Sequence, residues 1–392
     1  MPHPLFSFER FKTILEEHHG IDPSDFILKY SGKKEWPVKE LAEQLRCYPK
    51  AEKKFPTLHR RGMIYTDQAL QQSTPEAVLN ERSNMFSGDL AIDLTGGMGM
   101  DSFALSRSFK EVISIERSEA LIELAYHNHT ILDAGNIKHY CTDSEKWLTE
   151  FDGLADLIFI DPSRRTEGRR VFLLKDCEPD IHKMMPDILA KSRQFAIKLS
   201  PIYDIRALIN EIEHLHTITV VSSGGEVREI LAVGKPGYSG KPVVKAIVLK
   251  NESRIELQDE DDLHIPVTES ITGFLFEPDA AVIKARLSHV LAKNTGSLFL
   301  NHSTDYLITP DGDEHPGGVK FLIDEVHEYK PAQIKKYLAD KNLTRVRIHR
   351  RDFLHAPEQL YKTLKLKMGN QADLFFTHDA AGSLIMIITR LV

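Results

Sequence analysis

Between Asp89 and about Gly234 the chain alternates short apolar runs with amphipathic stretches. Apolar runs at 89–94, 111–116, 137–141, 156–160, 194–199, 216–222 and 227–233 read as strands, and the helical spacing at 100–108, 118–133, 144–149, 179–191 and 203–213 reads as helices. Strands separated by helices are joined by crossovers, so the pattern predicts a mostly parallel sheet covered on both faces. The last two strands break the alternation. Only Ser-Ser-Gly-Gly-Glu separates Thr217–Val221 from Val227–Val233, too little for a helix, and these two are predicted to pair antiparallel. Residues 1 to about 80 read as mostly helical, with apolar spacing over Phe8–His18 and Val38–Leu45. Lys50–Lys54 and His59–Arg61 fall in a polar connection around Pro49 and Pro56, read as a solvated linker. Thr74 is the predicted N-cap of the next helix, with Pro75 at its first position. Turn residues over Lys235–Pro242 mark a boundary. Beyond it lie a strand at Val243–Lys250, an acidic turn at Asp259–Asp262 and a helix at Pro278–Ala292. Val319–Val326, Pro331–Ala339, Arg345–Ile348, Pro357–Lys365, Leu374–Thr377 and Leu384–Thr389 then alternate as strand and helix, which suggests a ferredoxin-like α+β module with a split βαβ core. The expected domains are 1–80, 81–235 and 236–392.

Composition narrows this frame. A chain of 392 residues is expected to hold two or three domains, and 42% hydrophobic with 27% charged residues is ordinary for a globular protein. No apolar run reaches membrane-spanning length and the first residues lack a signal-peptide pattern, so a cytoplasmic protein without a membrane partner is expected. Cys47, Cys141 and Cys177 are too few and too scattered for a disulfide framework or a four-ligand zinc site, and no metal is expected. A net charge of −7 gives no overall attraction to nucleic acid, so any such contact must come from local basic patches.

The candidate chemistry centres on Ala91-Ile92-Asp93-Leu94-Thr95-Gly96-Gly97-Met98-Gly99-Met100-Asp101-Ser102: a strand ending on an acid, a Gly-rich turn and a helix start. Such a turn lets backbone approach a ligand closely. The next strand, Val112–Glu116, ends on an acid placed for ribose hydroxyls. An NAD-type fingerprint would put its third glycine at Ser102, and Asp93 would repel a pyrophosphate while attracting a cationic group. Asp93-x-Thr95-x-Gly97-x-Gly99 with Glu116 is similar to the cofactor motif of class I S-adenosylmethionine-dependent methyltransferases. That resemblance implies a Rossmann-like seven-stranded sheet with an antiparallel terminal hairpin. It also implies cofactor contacts from Asp93, Thr95, Gly96, Gly97, Gly99, Glu116, Asp143 and Asp161. Asp143 is in addition a good N-cap for the helix at 144–149.

Asp161-Pro162-Ser163-Arg164, at the carboxyl end of a central strand, resembles the Asp/Asn-Pro-Pro-aromatic motif of methyltransferases acting on exocyclic base nitrogens, with Ser163 and Arg164 departing from it. Asp161, Lys198 and Glu229 resemble three members of the Lys-Asp-Lys-Glu tetrad of ribose 2′-O-methyltransferases, in which a lysine assists removal of a hydroxyl proton. Arg82 is the weak substitute for the missing first lysine, and a structural ion pair between Lys198 and Glu229 is the plainer reading. Arg164, Arg165, Arg169 and Arg170 form a basic loop suited to phosphate or simply to water. Cys177 has no visible activating neighbour.

In Arg345-Val-Arg347-Ile-His-Arg350-Arg351 a strand would place Arg345 and Arg347 on one face, with Lys362, Lys365 and Lys367 following. This local positive patch suits RNA phosphates. Residues from about 273 onward, including Phe274-Leu-Phe-Glu277-Pro278-Asp279-Ala280-Ala281, look like the THUMP-like module attached to a group of bacterial methyltransferases. The resemblance implies methyl transfer to RNA, either tRNA or rRNA, at a ribose oxygen or a base. An NAD-dependent oxidoreductase and a non-catalytic RNA-binding protein on the same fold are the alternatives.

Overall fold

The computed structural model describes residues 8–164, 174, 177–250, 252–261, 263–310, 312 and 315–391. The chain divides into two compact units, one holding the residues up to Ile218 with Arg228–Pro242, the other Thr219–Val227 with Val243 onward.

The first unit begins with five helices, α1 (Phe8–Glu17), α2 (Pro23–Tyr30), α3 (Val38–Lys54), α4 (Asp67–Gln72) and α5 (Glu76–Met85). The expected linker at Lys50–Lys54 is instead the end of α3, which runs through Pro49. Cys47, Ala51 and Phe55 are fully buried, and that apolar stripe outweighs the one backbone hydrogen bond a late proline removes. The expected cap at Thr74 is likewise replaced. Pro75 takes the capping position of α5 with no side-chain bond, and the Thr74 hydroxyl is used elsewhere.

The parallel sheet follows. It comprises β1 (Gly88–Asp93), β2 (Phe109–Glu116), β3 (Ile137–Cys141), β4 (Leu157–Ile160) and β5 (Phe195–Leu199), then β6 (Leu215–Ser223) and β7 (Glu226–Gly234). These seven run in the order β6-β7-β5-β4-β1-β2-β3, with β3-β2-β1-β4-β5 parallel and β7 antiparallel to β5, and two later strands continue the sheet beyond β6, so it has nine strands where seven were expected. Gly224 and Gly225 join β6 to β7 at φ +65° and +79°, a backbone that only glycine adopts freely. Helices α6 (Met100–Ser106), α7 (Glu119–Ile131), α8 (Ser144–Glu150), α9 (Ile181–Lys191) and α10 (Ile205–Glu211) follow their strands. β4 and β5 are buried along their whole length, which is why they are continuous apolar runs. Their carboxyl ends, with those of β1 and β2, deliver the site residues.

The second unit contains the ladder of β8 (Val243–Lys250) and β9 (Ser253–Gln258), then β10 (Phe274–Pro278), α11 (Ala280–Ala285) and α12 (Ser288–Thr295). The single helix expected at Pro278–Ala292 is thus two. Arg286, at φ +61°, closes α11 through bonds from its N–H to the carbonyls of Val282 and Ile283, and this left-handed residue interrupts the helix. Strands β11 (Leu298–Phe299), β12 (Leu307–Thr309) and β13 (Gly318–Glu328) precede α13 (Pro331–Asp340), β14 (Arg345–Arg350), α14 (Pro357–Leu364), β15 (Lys367–His378) and β16 (Leu384–Leu391). Their sheet runs β11-β12-β10-β13-β16-β15-β14, in which only β14 and β15 are parallel among the pairs β13–β16, β16–β15 and β15–β14. Ile334, Leu338, Leu360 and Leu364 of α13 and α14 pack on Leu374, Phe376, Met386 and Ile388. Among the described residues no helix is long and apolar enough to cross a membrane.

Candidate functional site

The turn after β1 is built from inside. Asp93 is fully buried, and its carboxylate accepts from the Thr95 N–H at 3.0 Å and from Ser102 Oγ at 2.6 Å. Burial pushes its carboxyl above the ordinary range, which these two bonds oppose. Asp93 therefore ties the turn to the first helical residues, and does so without an exposed oxygen. Thr95 Oγ1 accepts from the Asp161 N–H at 2.7 Å and so pins the end of β4 to the same turn.

Two glycines have steric reasons to be there. A Cβ on Gly96 would lie 2.5 Å from Ser114 Oγ, and one on Gly99 would lie 2.4 Å from His129 Nε2, at a φ of +85°. His129 Nε2 lies 2.7 Å from the Gly99 carbonyl, which can only accept, so that nitrogen carries the proton and Nδ1 accepts from His139 Nε2 at 2.8 Å. Burial pushes the His129 ring down to about 4. Gly97 differs: a Cβ there would meet nothing nearer than Thr95 O at 3.8 Å, so the turn is open on that side. Its N–H donates to Glu116 Oε2 at 3.0 Å, while Glu116 Oε1 accepts from the Ser118 N–H at 2.8 Å. A carboxylate has about four lone-pair directions, so Glu116 keeps acceptor capacity for a ligand. Asp143 is exposed and caps α8 through the Lys146 N–H at 3.0 Å.

Beside the turn runs a chain of alternating charges. Glu229 on β7 accepts from Arg82 Nη2 at 2.6 and 2.5 Å, Arg82 pairs through Nη1 with Asp101 in the first turn of α6, and Asp101 Oδ2 lies 2.8 Å from Lys198 Nζ. Lys198 Nζ then meets Asp161 Oδ2 at 2.5 Å and Thr74 Oγ1 at 3.0 Å. The Arg82 side chain is inaccessible to water and also lies over the Phe159 ring. Asp161, with 38% of its side chain exposed, is the open end. Asp161, Lys198 and Glu229 thus do come together, but Lys198 and Glu229 are not ion-paired: Arg82 and Asp101 stand between them. Thr74 and Asp101 are further members that sequence reasoning missed, and Lys54 lies near them without contacting the charge chain. Lys54, at the end of α3, donates to the carbonyls of Leu70 and Gln71, and burial together with Lys198 and Arg228 pushes it down to about 8. A buried partner from another helix leaves no mark in local spacing.

The expected phosphate contacts fare unevenly. Arg165, Arg169 and Arg170 lie outside the described residues, and only the backbone of Arg164 is described, paired with Cys177. In the second unit Arg345 and Arg347 share one face of β14, as expected. Arg347, however, is not a free cation. It makes a two-pronged bond to the buried Asp373 at 2.7 and 2.8 Å, which also accepts from His349. Arg351 pairs with Glu277 and Arg350 donates to the Phe353 carbonyl. Arg345, Lys362, Lys365 and Lys367 are exposed and carry no ion pair among the described residues.

Residues 318–391 match the family described as THUMP domain-like. An uncharacterized S-adenosylmethionine-dependent methyltransferase of Mycobacterium tuberculosis is 24% identical over 358 residues, 91% of this chain and 96% of the relative. An uncharacterized RNA methyltransferase of Thermosynechococcus vestitus is 31% identical over 90 residues, 22% of this chain and 20% of the relative. A crystal structure of a methyltransferase candidate from Porphyromonas gingivalis W83 superposes with a TM-score of 0.83 at 23% identity over 100% of both chains, which establishes the shared fold.

Proposed function

We propose that the acceptor of this S-adenosylmethionine-dependent methyltransferase with a THUMP-like domain is RNA. The presence of that domain in the same chain as the methyltransferase sheet carries the reading. It is supported by the relatives from Thermosynechococcus vestitus and Thermotoga maritima, both named as RNA methyltransferases, and by the exposed cations Arg345, Lys362, Lys365 and Lys367. The helical region to residue 80, the sheet to 235 and the α+β region beyond are the proposed domains of a cytoplasmic enzyme.

The site suits the cofactor on the chemistry of its donors. Glu116 ends β2, and Asp143 and Asp161 follow the ends of β3 and β4, so the three acids flank the β1 turn, which is open at Gly97. Carboxylates there favour hydroxyls, an amino group and positive charge over a diphosphate, which counts against a nicotinamide dinucleotide. When bound, the cofactor supplies a methyl group already activated by its sulfonium charge. In this reading the turn N–H groups and Glu116 hold the ribose, Asp143 meets the adenine, and Asp161 with Lys198 flanks the acceptor. What remains for the chain is to align the acceptor and manage one proton.

The test mixes the protein, a labelled methyl donor and total tRNA or rRNA from a strain lacking the gene. Label in RNA is expected. Asp161→Asn should cut it by roughly a hundredfold or more, with S-adenosylhomocysteine affinity retained in titration calorimetry. Tight cofactor binding without label in any RNA would overturn the RNA reading.

A further inference from the structure

The charge chain says which kind of atom receives the methyl group. An ammonium has three protons and no lone pair. Lys198 Nζ has three acceptors around it: Asp161 Oδ2 at 2.5 Å, Asp101 Oδ2 at 2.8 Å and Thr74 Oγ1 at 3.0 Å. Those acceptors are themselves held. Asp101 is paired by its other oxygen to Arg82, and Arg82 is gripped by both oxygens of Glu229. Lys198 is left with neither a proton to offer a substrate nor a lone pair with which to take one.

Five charges in the sequence minus, plus, minus, plus, minus leave one excess negative charge. Glu229, Arg82, Asp101 and Lys198 have side chains at most 13% exposed, whereas Asp161 has 38%. Asp161 Oδ1 has no hydrogen-bond or ion-pair partner among the described residues. The group presented to the acceptor is therefore a fixed carboxylate oxygen, able to accept and unable to donate.

On the premise that the acceptor is RNA, we propose that the methylated atom is a nucleobase amino nitrogen and that Lys198 is a positioning residue for Asp161 rather than the base. A hydroxyl must lose its proton to become a nucleophile, and a carboxylate is a poor base for that task. An amino nitrogen attacks with its own lone pair while one of its protons is held by Asp161 Oδ1. As the nitrogen–carbon bond forms the carbon–sulfur bond breaks, its electron pair stays on sulfur, and the positive charge passes to nitrogen. The charged nitrogen readily releases a proton to Asp161, which passes it to water. Atoms and charge balance with no further reagent.

The experiment digests RNA labelled by the unmodified enzyme to nucleosides and separates them with mass-spectrometric identification. Label on an exocyclic amino nitrogen is expected. Label on a ring nitrogen, a ribose oxygen or a base carbon overturns the assignment while RNA methylation stands. Absence of label from all RNA, with S-adenosylhomocysteine still bound, removes the premise and the assignment together. Lys198→Arg and Lys198→Met, checked for folding by circular dichroism, give a second readout. A positioning role predicts that Lys198→Arg keeps at least ten times the turnover of Lys198→Met with an unaltered pH–rate profile. Equal inactivity of the two folded variants, or loss of the alkaline limb in Lys198→Arg, overturns it.

Discussion

Arg82 is fully buried and divides its guanidinium between Glu229 and Asp101, so its removal from water is offset on two sides. Taking away one partner strands the charge. Glu229→Gln is therefore expected to lower the unfolding free energy by about 3 kcal/mol, read by urea denaturation. Loss of turnover at unchanged stability would instead make Glu229 a participant in the reaction. Asp161 and Lys198 were legible in the sequence because each ends an apolar strand, where an isolated charge needs a reason. Thr74 was misread. Thr-Pro before a helix is a good capping signal, but the hydroxyl is claimed by an ammonium that lies 124 positions away in the chain, and no local rule registers such a partner. Arg347 was misread for the same reason: its neutralising partner, Asp373, belongs to the adjacent strand.

At the scale of elements, α7 and the start of α6 are joined by one ring. His129 donates to the carbonyl of Gly99, the residue that caps α6 and closes the turn after β1. Its imidazole is held neutral, mainly by burial and further by His139, with the folded value near 4 against an ordinary unfolded value near 6.5. Below 6.5 the unfolded chain takes up the proton first. The stabilisation from the neutral ring is thus complete above about pH 6.5 and is lost as pH falls toward 4. Between pH 7 and pH 5 the wild type should lose about 2 kcal/mol more unfolding free energy than His129→Gln; parallel pH profiles in urea titrations would contradict a neutral buried ring. The sheet itself was readable almost strand for strand, since buried parallel strands are uninterrupted apolar runs. Helix ends were less so. α3 continues past Pro49 because its buried face extends there, and the helix expected over Pro278–Ala292 breaks at Arg286, a residue whose left-handed backbone nothing in its type announces.

For the whole molecule, a net charge of −7 makes long-range attraction to RNA unfavourable, so the proposed RNA binding would have to rest on a few local cations. The structure reduces the candidates in the second unit. Arg347, Arg350 and Arg351 are engaged within the fold, whereas Arg345, Lys362, Lys365 and Lys367 are exposed without ion pairs among the described residues. Each phosphate neutralised adds about 0.7 to 0.9 to the slope of log affinity against log salt. Few contacts mean a shallow slope and a large fractional effect of each cation removed. Arg345→Ala combined with Lys367→Ala should lower the slope of RNA binding by about 1.5, measured by filter binding across a salt series. Arg347→Ala should leave the slope unchanged and lower stability instead, because it abandons the buried Asp373 carboxylate. An unchanged slope in the double variant, with binding retained, would move the proposed RNA footprint off β14 and the start of β15. The basic residues between Arg165 and Arg170 would then be the next to substitute.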